Sequence, residues 1–255
     1  MSTPALDDYV AAFDARCAAE ESAGVRRVEG PGIRGLVPVD GSAPTQLLVL
    51  DDRAADALVD LLPPAPAGTV RVLDAASRCG ELLRRNPEWG AMESTAMVCR
   101  DLRAVPRPSL PSGLALRPVC RVPEDALDGV PLSDAVAVAA RAMPPGEVSS
   151  AGLEAYLRSL PEGVRLFAAV DEGGVVRATS GSRTFGSAAY VFFVNTDPTW
   201  QRRGVGLAMT AAALGSAAAA GATQACLDAS GAGVPLYQRL GFAALAGITQ
   251  FNPAT

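Results

Sequence analysis

Thr196-Asp197-Pro198-Thr199-Trp200-Gln201-Arg202-Arg203-Gly204-Val205-Gly206-Leu207-Ala208 is the stretch on which the reading of this 255-residue chain turns. An apolar, strand-like run, Tyr190 to Val194, precedes it, and an alanine-rich run from Leu207 to Ala220 follows it with the composition of a helix. Glycine has no Cβ, so the backbone at Gly204 and Gly206 can approach an anion closely and adopt φ values that other residues resist. The first amides of the following helix have no intrahelical partner and point outward at the positive end of the macrodipole. Gln201, Arg202 and Arg203 add donors and charge at the loop mouth. Together these features predict a strand, a loop that grips a diphosphate, and a helix.

Spacing excludes two other nucleotide loops. The chain contains no lysine, so the mononucleotide loop ending in Gly-Lys-Ser/Thr is absent. A dinucleotide fingerprint needs a third glycine three residues after Gly206, where Met209 stands. What remains, Gln/Arg-x-x-Gly-x-Gly after a strand ending in x-Asp-Pro, resembles the acyl-CoA pyrophosphate loop of the GNAT superfamily of N-acetyltransferases. Taken alone it is also compatible with an ordinary glycine-tightened strand-to-helix turn. A second motif adds to it. Leu236-Tyr237-Gln238-Arg239-Leu240-Gly241-Phe242 follows a strand-like run, Ala225 to Ala229, and is similar to the Leu-Tyr-x-x-x-Gly-Phe segment near the end of GNAT domains. The two motifs stand in the family's order, one helix and one strand apart.

The resemblance implies a mixed α/β (α+β) fold over residues 113–255, with a central, mostly antiparallel sheet flanked by helices. It implies transfer of an acetyl group from acetyl-CoA to a primary amine of a small molecule or peptide by direct attack. The alternative is a catalytically silent module that binds or senses acyl-CoA. Carried over residue by residue, it gives the donor arm Val194, Asn195 and Thr196, the diphosphate Gln201, Arg202, Arg203, Gly204, Val205, Gly206 and Leu207, and the leaving thiolate the hydroxyl of Tyr237. The plain alternative for Tyr237 is a packing role with its hydroxyl bonded locally. Asn195 interrupts the apolar alternation begun by Val191 and Phe193, which suits either a bulge or a core strand with one polar residue. Ser230 stands seven residues before Tyr237, where the family commonly has asparagine, and Gly233 replaces a usual alanine. A serine there can cap the following helix and bond the donor arm. The general base is not evident, since the strand Ala188–Asn195 carries no glutamate; Asp228 and Glu147 are the candidates.

Composition bounds the rest. Hydrophobic residues make up 49% of the chain and charged ones 19%, as expected of a globular protein. Its start, MSTPALDDYVAAFDARC, reads as an acidic amphipathic helix rather than a signal sequence, so the expected compartment is the cytoplasm. With no histidine, Ser-His-Asp and Cys-His catalysis are excluded and a zinc site is not expected; no metal is needed. Five cysteines, Cys17, Cys79, Cys99, Cys120 and Cys226, form no Cys-x-x-Cys pair and read as free buried thiols. A net charge of −5 with dispersed arginines argues against nucleic acid as a partner, no window spans a bilayer, and a homodimer stays open.

The proline-rich segment Arg103–Gly113 reads as a linker, with its core at 106–112. It separates residues 1–105 from 113–255. The first part echoes the second: Thr69-Val70-Arg71-Val72-Leu73-Asp74-Ala75 matches Thr223-Gln224-Ala225-Cys226-Leu227-Asp228-Ala229 in type and register. Where the glycine loop would fall, however, it has Asp51-Asp52-Arg53, whose carboxylates repel a diphosphate. Residues 1–105 are therefore expected to form a degenerate, GNAT-like half without a cofactor loop, the alternative being an unrelated α/β domain.

Overall fold

The computed structural model describes residues 4–22, 24–39, 44–63, 68–121, 129–143, 149–160 and 163–254. In chain order the first elements are α1 (Pro4–Glu20), β1 (Val25–Gly30), β2 (Ile33–Pro38), β3 (Thr45–Val49), α2 (Ala55–Leu61), β4 (Gly68–Leu73), α3 (Ser77–Arg84) and β5 (Trp89–Cys99). Then come β6 (Leu114–Cys120), β7 (Val130–Pro131), α4 (Leu132–Ala142), α5 (Ser150–Ser159), β8 (Val164–Asp171), β9 (Val176–Phe185) and β10 (Ala188–Thr196). The chain ends with α6 (Val205–Ala219), β11 (Gln224–Ala229), α7 (Val234–Gln238) and β12 (Ala243–Pro253). The strand expected before the glycine loop, the helix after it and the strand at Ala225–Ala229 are present as β10, α6 and β11; the hairpin β1–β2 is one the sequence reading did not contain. No helix among the described residues is long and apolar enough to cross a membrane.

Packing divides the chain into two compact units that a single cut at 106–112 does not reproduce. One comprises Met1–Val98 with Asp228–Val234 and Ala243–Thr255, the other Cys99–Leu227 with Pro235–Phe242. The reason is the pairing of the last strand. β12 runs antiparallel to β4 from Ile248↔Leu73 to Phe251↔Val70, and antiparallel to β5 from Ala243↔Val98 to Pro253↔Trp89. The proline-rich segment Arg103–Gly113 has no regular structure and clusters with the second unit.

In the first unit the strands lie in the order β1-β2-β3-β4-β12-β5. β3 and β4 are parallel, as a strand–helix–strand crossover requires, and the α2 side is filled by Leu47, Val49, Leu58, Val70, Val72, Leu83 and Phe251. A buried polar chain also runs through this unit. Asp228 accepts from the Tyr9 hydroxyl at 2.5 Å and from Arg71 Nε at 2.7 Å, and Arg71 donates onward to Gln46 at 3.1 Å.

In the second unit the order is β11-β10-β9-β8-β6-β7. β8, β9 and β10 form an antiparallel meander, with Glu172-Gly173-Gly174 turning the first hairpin. The alanine-rich α6 lies close on this sheet. Ser180 and Ser182 of β9 donate to its carbonyls at Met209 and Ala213, at 2.8 and 3.0 Å. α6 stops at Gly221, which has φ 98° and leaves the amides of Gly221 and Ala222 to bond back to Ala218 and Ala217.

A fragment comprising residues 99–255 keeps β12 but lacks β4 and β5, and so presents eleven unpaired residues. It should aggregate on expression and regain solubility when residues 1–98 are co-expressed. A monomeric fragment by size exclusion with native circular dichroism would count against the pairing of β12 as the fold's constraint.

Candidate active site

The site is built where β10 and β11 part. Their parallel ladder holds for three pairs, Ala188↔Gln224, Ala189↔Ala225 and Tyr190↔Cys226, whereas β10 continues to Thr196. On its other edge β10 slips register against β9 between Phe192↔Gly181 and Asn195↔Thr179. Phe193 and Val194 thus stand opposite the single residue Ser180, and Phe193 takes φ 57°. This is a β-bulge, which takes backbone groups out of the ladder and re-aims them. It is held in place by Thr179, whose hydroxyl donates to the Phe193 carbonyl at 2.9 Å and accepts from Asn195 Nδ2 at 3.3 Å. Of the two readings open for Asn195, the bulge is the one the structure has.

β10 leads into a tight turn, Pro198–Trp200, capped by Asp197. Its carboxylate accepts from the Thr199 amide at 3.0 Å and the Thr199 hydroxyl at 2.7 Å. The same buried carboxylate meets Arg141 of α4 at 3.1 Å and Arg177 of β9 at 3.7 Å. The Thr199 hydroxyl, reinforced by the Thr199 amide and by Arg141, holds the Asp197 carboxyl below the usual carboxylate range. This hub was not foreseen from sequence, because its two arginines lie 56 and 20 residues away from it along the chain.

Beyond the turn, Arg202 and Gly204 both adopt left-handed backbone, φ 62° and 81°. Alternation of this kind curls successive amides around a concavity suited to an anion. Gly204 is the N-cap of α6 and offers no side chain, so among the described residues nothing bonds the amides of Val205, Gly206 and Leu207. Gln201 points back to the Thr196 carbonyl at 3.2 Å, and Arg203 lies over the Trp200 ring at 5.0 Å. A Cβ on Gly206 would lie 3.0 Å from Leu236 Cδ1 and 3.3 Å from Thr196 Oγ1. The missing side chain therefore lets the helix start sit against both the end of β10 and α7.

The motif around Tyr237 is a helix stop of defined geometry. The Phe242 amide donates to the Tyr237 carbonyl at 3.1 Å, and the Gly241 amide to Gln238 at 3.0 Å, with Gly241 at φ 87°. The apolar contact that accompanies such a stop is the edge-on packing of Phe242 against the Tyr237 ring, with centroids 6.0 Å apart. The spacing Tyr-x-x-x-Gly-Phe is thus a backbone requirement. Tyr237 is buried, and no described residue bonds its hydroxyl; burial pushes it from 10.0 up to about 12.

The sequence profile of the Acetyltransferase (GNAT) domain family matches residues 162–244. The chain carries a GNAT domain. Solved structures extend the likeness in fold to nearly the whole chain. A GCN5-related N-acetyltransferase from Kribbella flavida aligns over 98% of this chain and 96% of its own, with a TM-score of 0.61 at 18% identity. One from Sphaerobacter thermophilus aligns over 100% and 96%, with a TM-score of 0.54 at 17% identity. A tandem GNAT protein from the clavulanic acid biosynthesis pathway aligns over 97% and 95%, with a TM-score of 0.53 at 14% identity. No curated protein matches the sequence significantly.

Within the GNAT domain the structure brings together Val194, Asn195, Thr196, the loop Gln201–Leu207 and α7. Ser230 is exposed; its carbonyl, not its side chain, bonds onward, to the amides of Gly233 and Val234. Asp228 belongs to the first unit and is committed to Tyr9 and Arg71. Glu147 lies outside the described residues, as do Pro144, Pro145 and Gly146. None of the five cysteines is in a disulfide, and burial pushes Cys17 up to about 12 and Cys79 up to about 11, which keeps both as thiols. Among the described residues no cluster of acidic or sulfur ligands could hold a metal.

Asp197→Asn keeps an acceptor for Thr199 but removes the charge facing Arg141 and Arg177. It should cost about 1–2 kcal/mol at neutral pH, measured by chemical denaturation. A carboxyl held low in the folded state stabilises it above the unfolded value of 3.8 and loses that contribution as the pH falls through the folded value. The gap between wild type and variant should therefore be flat from pH 8 to about 5 and close below about 4. A gap undiminished at pH 3 would show that the charge is not what holds the turn.

Proposed function

We propose that this chain transfers an acetyl group from acetyl-CoA to a primary amine of a small molecule or peptide, by direct attack of the amine on the thioester. The observation that carries the reading is the pairing of a loop whose amides no described residue bonds with a buried tyrosine whose hydroxyl no described residue bonds, joined through the Gly206–Leu236 contact. Acetyl-CoA supplies an activated thioester and a diphosphate handle. The amides of Val205, Gly206 and Leu207 would hold the diphosphate, with Arg202 and Arg203 adding charge. The edge of β10 past Tyr190 offers backbone groups to the donor arm as an added strand would use them. An amide re-aimed by the bulge at Phe193 and Val194 would suit the developing oxyanion, a contribution of about 3 kcal/mol per donor in comparable sites.

As the carbon–nitrogen bond forms and the carbon–sulfur bond breaks, Tyr237 gives its proton to the departing sulfur. The incoming nitrogen releases its own proton to water. Ion pairing leaves no better acceptor among Asp171, Asp197 and Glu154, which face Arg177, Arg141 and Arg158. The same point favours a second reading, an acyl-CoA-binding module without turnover. In either case residues 1–98 fit a degenerate GNAT-like half. Their strand order, β1-β2-β3 followed by a helix and the parallel β4, repeats β8-β9-β10, α6 and β11. Asp51 caps the turn in place of a glycine and pairs with Arg53 at 2.7 Å.

Calorimetric titration with acetyl-CoA followed by a free-thiol assay over a panel of amines tests the reading. Tyr237→Phe should lower kcat by about 10² or more while leaving CoA affinity within about twofold. Equal turnover by the variant would favour the silent module. With the hydroxyl pushed to about 12, wild-type kcat/KM should rise with pH along the amine's own ionisation. It should show no falling limb below about pH 10; a limb near pH 8 would assign the proton to another group.

A further inference from the structure

The mouth of the loop carries a guanidinium that no carboxylate claims. Among the described residues Arg203 forms no ion pair, although it is flanked by the open amides of α6. Its position is set instead by Trp200, whose ring centroid lies 5.0 Å from the Arg203 guanidinium carbon and 6.0 Å from that of Arg177. Arg177 is itself fixed, by Asp171 at 2.8 Å and Asp197 at 3.7 Å. Below, the indole rests on the cluster of Ala169, Ala178, Val205 and Met209 under the first turn of α6. Trp200 is thus packed on the core and on an anchored arginine, whereas Arg203 meets it with no ion pair among the described residues.

We propose that Trp200 is a positioning residue that holds the Arg203 guanidinium in register with the α6 amides, so that the cation is preorganised for the donor's phosphates. A free arginine side chain loses rotamer freedom when it engages a ligand, and prior placement on an aromatic face reduces that loss. Trp200 then raises donor affinity without touching the donor. The inference rests on the diphosphate reading of this loop.

A double-mutant cycle on the full-length chain tests it, with calorimetric binding of CoA as the readout. Arg203→Met and Trp200→Leu should each weaken binding about tenfold, and the double variant should bind no more weakly than Arg203→Met alone. Trp200→Phe keeps an aromatic face and should stay within about threefold of wild type. Losses that multiply in the double variant would overturn the proposal, because the ring would then act independently of Arg203. So would a Trp200→Phe variant as weak as Arg203→Met, and this comparison stands even if Trp200→Leu fails to fold. A wild-type chain that binds no CoA overturns the diphosphate reading and this inference with it; wild-type binding with multiplied losses overturns this inference alone.

Discussion

The parallel ladder between β10 and β11 stops after three residue pairs, and the proposed site depends on its stopping. A continuous ladder would have satisfied the edge of β10 as far as Thr196 and left no backbone groups for a ligand. Two local features go with the parting. The bulge at Phe193 and Val194 bends β10, and the left-handed turn at Arg202 and Gly204 begins α6 without a side-chain cap. The turn leaves the amides of Val205, Gly206 and Leu207 without a partner among the described residues, a condition proteins tolerate where water or a ligand completes the bonding. Asp197, with its ties to Thr199, Arg141 and Arg177, keeps the turn between the two features in one conformation.

The first unit carries the same order of elements to the opposite result. Its parallel pair, β3 and β4, is bonded along five residue pairs from Thr45↔Gly68 to Val49↔Val72, with no slip of register. At the turn that follows, Asp51 accepts from the Arg53 amide, and Asp52 accepts from the Cys79 amide at 3.1 Å. One donor of that turn and one at the start of α3 are thereby satisfied by carboxylates whose charge would also repel phosphate. Pairing and capping lower the free energy of the folded chain, whereas an open slot raises it. The proposed loss of donor binding in this half therefore runs in the direction that stability favours.

The sequence was most legible where backbone geometry restricts residue type. Gly204, Gly221 and Gly241 all have positive φ, and each was readable as a loop or helix-end glycine from its place in a pattern. Tyr237 and Phe242 were legible only through the likeness to the Leu-Tyr-x-x-x-Gly-Phe segment, and the helix stop supplies the physical reason for that spacing. The partners of β12 were not. Ala243–Pro253 has the composition of a strand, but which strands it joins depends on edges formed elsewhere in the chain, and a local pattern carries no information about them. The ion pairs of Asp197 escaped for the same reason, and Ser230 was expected to bond through a side chain where its carbonyl does so. Asp228 was one candidate for the base, with a structural role as its alternative; the partners that commit it, Tyr9 and Arg71, are 219 and 157 residues away.

A chain without histidine has few acids to offer a leaving group, and a tyrosine at about 12 looks poorly matched to a thiolate. An ordinary thiol is more acidic than that by several units, so the proton would move uphill if only the phenol were perturbed. Burial acts on both partners. The same desolvation that lifts Tyr237 from 10.0 to about 12 lifts the buried thiol of Cys17 from 9.0 to about 12 in this protein. A sulfur released into a dry slot would be raised in the same sense, because its anion loses hydration as the phenolate does. The two acidities then approach each other, and proton transfer between them comes close to balanced. On the proposed mechanism, the burial that raises Tyr237 would therefore not by itself unfit it as the acid for a thiolate.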